Sequence, residues 1–291
     1  MLYRILPVLS LLLVLYACGG GDETTESTPE PPPAEAPVWA VLEQASSRLA
    51  EDEFEVAFKL LTPEGLEQRW IQEWQRWREQ PVDEAFRERF ARIMVMLTEE
   101  NAERAIAAHL GEQLRLLEAQ KGAVLGVVRG LLLSAAGVPE EYADQEAALR
   151  MLDGLLDWLG RTDLAEPQRV ERVASLLVAE ARASGIERWS DIEHLEFEAA
   201  LEQAGRLYGL FREVMLAYDL DLNRSLAASR FQTLEQSGDR AVVDWQLSLF
   251  GQAHRIRLPM VRRETGWYLQ VVHEQAPPEP PRLRSPGRDS R

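Results

Sequence analysis

The sequence predicts an α+β protein that is predominantly helical, in which a multi-helix body precedes a small C-terminal antiparallel sheet packed on a long helix. Two observations lead to this prediction. Between Val38 and about Gly185, apolar residues recur at spacings of three and four, and Pro or Gly separates the segments, as in amphipathic helices. After Ser229, apolar residues alternate with polar ones, which is the period of a strand with one buried face.

The first residues have the organisation of a secretory signal. Arg4 precedes an apolar run, Ile5–Leu15, which is shorter than the roughly 20 residues that a membrane-spanning helix needs. The run ends in Leu15-Tyr16-Ala17-Cys18, and Cys18 is the only cysteine of the chain. This motif resembles the lipobox of bacterial lipoproteins. The resemblance implies that residues 1–17 are removed and that Cys18 is acylated, which makes the lipid bilayer a partner.

The residues after Cys18 bear on its destination and on the tether. In Gram-negative lipoproteins, Asp after the cysteine is the usual signal for retention in the inner membrane. Because Gly19 stands there, the resemblance implies the periplasmic face of the outer membrane. Residues 18–37 are rich in Gly, Thr, Glu and Pro and are predicted to be a disordered tether that spans about 25 Å on average. Residues 276–291 are predicted to be a disordered tail.

A helical domain is expected over residues 38–185. It begins with a helical pair, 39–50 and 53–61, and a third helix is expected after Thr62-Pro63. The third and fourth helices carry apolar stripes made of Leu66, Trp70, Trp74 and Trp77 and of Phe86, Phe90, Ile93 and Leu97. Such stripes favour a core position over a ligand-stacking or membrane-surface face. Two later helices are expected near 140–159 and 166–183.

Between these helices lies a segment with regularly spaced glycines. Gly122, Gly126 and Gly130 fall every fourth residue of a helix expected over 121–137. The apolar stretch is short and carries Arg129 near its centre, which argues against a second membrane span. We expect a buried central helix whose glycine face lets a neighbouring helix approach closely. A groove for an acyl chain is the alternative.

A second domain is expected over residues 186–275. Ser190 is expected to cap a long helix with a continuous apolar seam, formed by Phe197, Leu201, Ala204, Tyr208, Phe211, Met215 and Tyr218. A short helix through Leu226 and an antiparallel meander of three or four strands follow. The seam is expected to cover the sheet, so that Trp245 and Trp267 point into the same core as Phe211.

Two stretches resemble a known family. The segment from Val41 to Leu61, with its Glu-Asp-Glu turn before Phe54, resembles the opening helices of nuclear-transport-factor-two-like domains. The segments Ala241-Val242-Val243, Pro259 to Arg262 and Gly266 to Leu269 resemble the closing hairpins of such domains in uncharacterised bacterial lipoproteins. The resemblance implies a small cone-shaped α+β fold. Because that family includes both enzymes and binding modules, it implies no catalytic residue.

The composition and the missing motifs limit the function. The formal net charge of −16 argues against a nucleic-acid partner, because such binding needs basic residues against phosphates. The sequence holds no GxSxG, P-loop, GxGxxG or HExxH motif. The sequence therefore predicts no catalytic residue, no metal ligand and no cofactor.

Three local patterns have a bland and a functional interpretation. His194 and Glu198 lie four residues apart, but two ligands do not make a metal site. Asp219, Asp221 and Asn223 imitate the start of a calcium loop, although Arg224 stands where the turn glycine belongs. The arginines around His254 form a basic patch, for which a solvated sheet face is favoured over a site for an acidic partner.

These observations predict a non-enzymatic, membrane-anchored periplasmic lipoprotein that acts as an interaction or assembly module of the cell envelope, with an envelope protein as its partner. The alternative is a carrier of a small apolar ligand such as an acyl chain. An enzyme of unknown class comes third. Besides Cys18, the residues expected to form an apolar groove or a helix-packing surface are Gly122, Gly126, Gly130, Phe197, Tyr208 and Phe211.

Overall fold

The computed structural model describes residues 36–62, 64–135, 143–263 and 266–270. Within them the helices are α1 (Ala40–Ala50), α2 (Phe54–Leu61), α3 (Glu64–Arg78), α4 (Glu84–Thr98), α5 (Ala102–Ala135), α6 (Ala143–Arg161), α7 (Pro167–Ser184), α8 (Trp189–Glu193), α9 (Phe197–Ala217) and α10 (Leu222–Ala227). The strands are β1 (Arg230–Ser237), β2 (Arg240–Leu249), β3 (Gln252–Arg263) and β4 (Gly266–Leu269). The predicted α+β, mainly helical class is confirmed.

The four strands form one antiparallel sheet in the order β1-β2-β3-β4. Gly238 (φ +60°) and Gly251 (φ +77°) lie in the turns of the first two hairpins, where the left-handed backbone favours glycine. Val243 of β2 lies opposite Leu258 of β3. The buried face predicted for β2 is confirmed by its buried members Ala241, Val243 and Leu247.

The inner face of this sheet is covered by the first two helices. A single buried core contains Val38, Val41, Leu42 and Leu60 from the start of the chain and Ala241, Val243, Met260 and Trp267 from the strands. Beside it, Trp245 packs against a second cluster of Ala45, Leu49, Ala57 and Leu226. Helices α1, α2 and α10 thus cover this part of the sheet, and α6 packs on the hairpin end of β3, where a Cβ at Gly154 would lie 3.5 Å from His254.

The prediction that α9 covers the sheet is therefore wrong. Phe211 lies on α9 with its ring 6.3 Å from that of Tyr208, whereas Trp245 and Trp267 pack on the α1–α2 side. The three residues do not share one core. The spacing of apolar residues is alike in α1 and α9, so the choice between them depends on long-range packing, which periodicity does not contain.

Helix α9 instead joins the first helices to the middle of the chain. Its Leu201 and Tyr208 share a buried cluster with Phe54 and Phe58 of α2. On its other side, Arg206 donates a hydrogen bond of 2.9 Å to Glu180 of α7. Helix α7 in turn packs on the first half of α5, through a cluster of Ala102, Ile106, Ala174 and Val178.

The chain changes direction where the sequence predicts a new domain, but the packing does not divide there. Gly185 (φ +65°) ends α7 in the left-handed conformation common after helices. Residues 38–61 nevertheless share their core with the strands, across the boundary predicted at 185. The division into residues 38–185 and 186–275 stays a prediction.

The expected cap of the long helix is also corrected. Ser190 lies inside the short helix α8, and α9 begins only at Phe197. Asp191 accepts the backbone N–H groups of Arg188 and Glu187, at 2.7 and 2.8 Å, and these hydrogen bonds lower the pKa of Asp191. The residue that caps the chain before α9 is therefore Asp191 in α8, because its carboxylate accepts two backbone N–H groups that have no other partner in a helix.

Cys18, the signal, most of the tether and the tail lie outside the described residues, and the predictions about them stay predictions. Among the described residues, no helix is both long enough and apolar enough to cross a bilayer.

Candidate interaction surface

The described contacts of the second half of α5 lie on one side of the helix. Lys121 donates a hydrogen bond of 2.8 Å to the carbonyl oxygen of Thr162, and Glu118 accepts the backbone N–H of Leu164 at 2.8 Å. Arg129 pairs with Asp157 of α6. These contacts fix the helix against α6 and the loop that follows it. They also place both cations of this half beside carboxylates.

The opposite side of α5 exposes large apolar side chains to solvent. The exposed fractions are 56% for Leu116, 47% for Leu117, 48% for Val124 and 65% for Val127. At 100° per residue these four positions fall within an arc of roughly 100°, which also contains the exposed Gln120. We call this set of four the α5 outer face. Isolated exposed apolar residues are ordinary, but a row along one helix face marks an interaction surface.

The glycine row lies beside the α5 outer face, and no other described element packs against it. Apart from the adjacent residues and the neighbouring backbone of α5 itself, no described atom lies within 4 Å of the position that a Cβ would take at Gly122, Gly126 or Gly130. The prediction of a buried central helix with a closely packed glycine face is therefore wrong for the described residues. The reason is that α6 approaches from the side of Lys121 and Leu125, so the glycines flank the contact instead of forming it.

The part of the chain that contains the glycine row differs in charge from the rest of the chain. No Asp or Glu occurs between residues 119 and 139, although the chain carries 48 acidic residues. The segment also contains no aromatic residue. Val124 and Val127 of the α5 outer face lie within this segment, whereas Leu116 and Leu117 lie beside Glu118.

The aromatic residues expected to form an apolar groove or a helix-packing surface take part in packing. The ring of Phe197 lies 6.2 Å from that of Phe58, and the ring of Tyr208 lies 6.3 Å from that of Phe54. Tyr208 is buried, and Phe211 follows it on the same helix. The structure thus brings Phe197, Tyr208 and Phe211 together along α9 but places none of them beside the glycine row.

The tryptophan stripe of α3 takes part in a cluster with α4 and α8. The rings of Trp74 and Trp77 stack at 4.8 Å, and Trp189 contacts Trp77 and Phe86 edge to face at 5.6 and 4.9 Å. The Trp74 indole N–H donates to the carbonyl oxygen of Leu195. The interpretation of these aromatics as packing residues agrees with these contacts.

One buried charged cluster was not predicted. Arg212 of α9, 7% exposed, pairs with Asp52 in the α1–α2 turn and donates a hydrogen bond of 2.5 Å to Asn223. Its guanidinium carbon also lies 5.4 Å from the centre of the Tyr208 ring. Asn223 is thus bound to an arginine, and Asp221 caps α10 by accepting the N–H of Arg224 at 2.8 Å. The signal available in the sequence was Arg212 inside the apolar seam.

The basic patch on the sheet is tied to a buried acid. Asp244 of β2 is 2% exposed and accepts two hydrogen bonds from Arg255 of β3, at 2.6 and 3.0 Å. Burial raises the pKa of Asp244, but the hydrogen bonds from Arg255 and Gln246 outweigh it, so the pKa lies below its ordinary value. One arginine of the patch, Arg255, is therefore bound to a residue of the neighbouring strand.

No triplet of metal-binding side chains gathers anywhere in the part of the chain that the structure describes. The Nδ1 atom of His194 lies 2.5 Å from the carbonyl oxygen of Ser190, within its own helical turn. Comparison of the chain with protein-family models, with curated proteins and with solved structures finds no match.

Proposed function

We propose that this chain is a membrane-anchored lipoprotein whose folded body is a non-catalytic interaction module of the cell envelope. The lipobox ending in Cys18 supports the anchor. The single observation that supports the interaction role is the α5 outer face, because four large apolar side chains on one face of a helix are exposed to solvent.

The packing of the other candidate residues supports the same choice. The aromatic rings of α9 lie against α2, and Arg212 is engaged by Asp52 and Asn223. A carrier of an apolar ligand needs a concave apolar site, whereas the α5 outer face is convex, as the side of a single helix is. The described contacts therefore favour a surface for a partner over an internal ligand site.

The anchor is tested by the intact mass of the protein purified from membranes. We expect the mass of a chain that begins at Cys18 and carries acyl groups, and Cys18→Ser should lose both the processing and the membrane attachment. An unmodified Cys18 in membrane-purified protein contradicts the anchor.

The interaction surface is tested by photo-cross-linking in intact cells. A photoreactive amino acid in place of Val127 should form adducts with a lipid or a polypeptide, while the same group in place of Leu207 serves as the matched control. Leu207 is a comparable apolar residue, 52% exposed, on α9. Equal adducts at both positions, or none at 127, contradict the role of the α5 outer face.

A further inference from the structure

We infer that the α5 outer face lies on the surface of the bilayer, so that the lipid itself is what covers it. This inference rests on the proposed anchor, and it names the occupant of the proposed surface. The four residues extend along about 16 Å of one helix, from Leu116 to Val127, which suits a helix that lies in the plane of an interface.

The chemistry of the face favours lipid over protein. Protein interfaces obtain most of their binding energy from Trp, Tyr and Arg, whereas Leu and Val are under-represented among such residues. Leu116, Leu117, Val124 and Val127 belong to the second group, and no aromatic residue occurs in α5. Aliphatic side chains gain from insertion among acyl chains without a shaped partner.

The charge around the face also fits a bilayer. A chain with a net charge of −16 is repelled by anionic head groups over most of its surface. Residues 119–139, which include Val124 and Val127 of the face, are an exception, because their charged members are Lys121 and Arg129 only. Both are held at the α6 side of the helix, away from the α5 outer face, and each is paired with a carboxylate.

The position of the predicted anchor permits this contact. Cys18 precedes the described chain by the predicted tether, whose expected average span of about 25 Å would let the body reach the membrane in many orientations. An apolar face then selects one orientation, since each CH₂ group that moves from water into lipid favours the bound state. The body lies on the membrane instead of standing away from it.

The test uses the full acylated chain in vesicles of phosphatidylethanolamine and phosphatidylglycerol. Val127→Cys and Leu116→Cys are labelled with an environment-sensitive fluorophore, and Leu207→Cys is the matched control. Acylated Cys18 has no free thiol, so the protein without an introduced cysteine should take up no label. A lipid with a nitroxide on a shallow acyl carbon is then added as the quencher.

We expect strong quenching at residues 116 and 127 and little at 207. Val124→Glu in the Val127→Cys protein should reduce the quenching by roughly half or more, because a carboxylate resists transfer into the interface. Equal quenching at 207 overturns the inference, since it indicates nonspecific adsorption.

Two further outcomes overturn the inference in distinguishable ways. Blue-shifted emission at 127 that is not quenched by the lipid and grows with protein density means that a second copy covers the face. An acylated protein whose labels at 116 and 127 stay unquenched retains the anchor but loses the bilayer contact. A mass that shows no acylation refutes the anchor of the proposed function. The inference that rests on this anchor is then refuted with it.

Discussion

The guanidinium group of Arg212 on α9 pairs with the carboxylate of Asp52 in the turn between α1 and α2. Asp52 adopts a positive φ of 73°, which Asp tolerates better than most residues. Because Arg212 also binds Asn223 at the start of α10, one buried cation joins three elements. The pair fixes the sheet-covering helices to the rest of the helical body.

Arg212→Met should lower the free energy of unfolding by about 2–4 kcal/mol, because the change leaves the carboxylate of Asp52 and the amide of Asn223 without their buried partner. Urea denaturation measures the effect. Arg172→Met is the control, since Arg172 pairs with Glu213 at the surface and should cost less than about 1 kcal/mol. Similar losses in the two variants would show that Arg212 does not act as a buried cation.

Leu42→Ala and Trp267→Ala should each cost about 2–5 kcal/mol, because both side chains are buried in the core between α1 and the sheet. Their effects should be non-additive by about 0.5 kcal/mol or more, since they share that core. Phe211→Ala combined with Trp267→Ala should be additive, because Phe211 packs elsewhere. The double-mutant cycles are measured by urea denaturation, and the reverse pattern would restore α9 as the cover of the sheet.

Gly126→Ala should stabilise the protein by about 0.5–1 kcal/mol, because the added Cβ meets open space and alanine favours the helix. Gly205→Ala is the matched comparison within α9. Its Cβ would lie 3.4 Å from the Cβ of buried Phe54, so the helix preference is offset by crowding. Thermal and urea melts of both variants test this, and destabilisation by Gly126→Ala would indicate a neighbour on the glycine row.

Asp244 should make stability depend on acidic pH. Because its folded pKa is lower than its ordinary value of 3.8, its contribution is complete above that value and is lost as the pH falls through the folded pKa. The stability difference between the wild type and Asp244→Asn should therefore shrink below about pH 4. Urea midpoints across this range measure it.

Arg255→Gln provides the complementary variant for the same pair. Without the two hydrogen bonds from Arg255, burial should dominate and raise the pKa of Asp244, so that acid destabilisation begins at higher pH than in the wild type. An unchanged onset would mean that Arg255 does not control the ionisation of Asp244.

The sequence predicted the local structure better than the contacts between elements. The spacing of apolar residues at four and three predicted the long helix α9, and the alternation in β2 predicted that Val243 is buried. Both patterns depend only on residues that are close together in the sequence. Which helix covers Trp267 was not predictable, because the decision lies between segments at opposite ends of the chain.

For a similar reason, the sequence predicted a packed glycine face where the structure has an exposed apolar face. The spacing of Gly122, Gly126 and Gly130 suggests close helix packing, but whether a neighbour arrives on that side depends on where α6 turns. The burial of Arg212 is likewise set by Asp52, which lies in a distant turn. The sequence also shows that Val127 is apolar, but it does not show whether Val127 is buried, and in the structure Val127 is exposed.

The shared core of Val38 and Trp267 has a consequence for the order in which the molecule can be built. Contacts between such distant positions give a high contact order, and the chain must close a very long loop before they stabilise anything. During synthesis α1 and α2 emerge early, yet the strands that bury Leu42 and Leu60 are made last. A chain that stops before β2 leaves Leu42 and Leu60 without any of the strands that bury them, so the C-terminal strands contribute to the folding of the first helices.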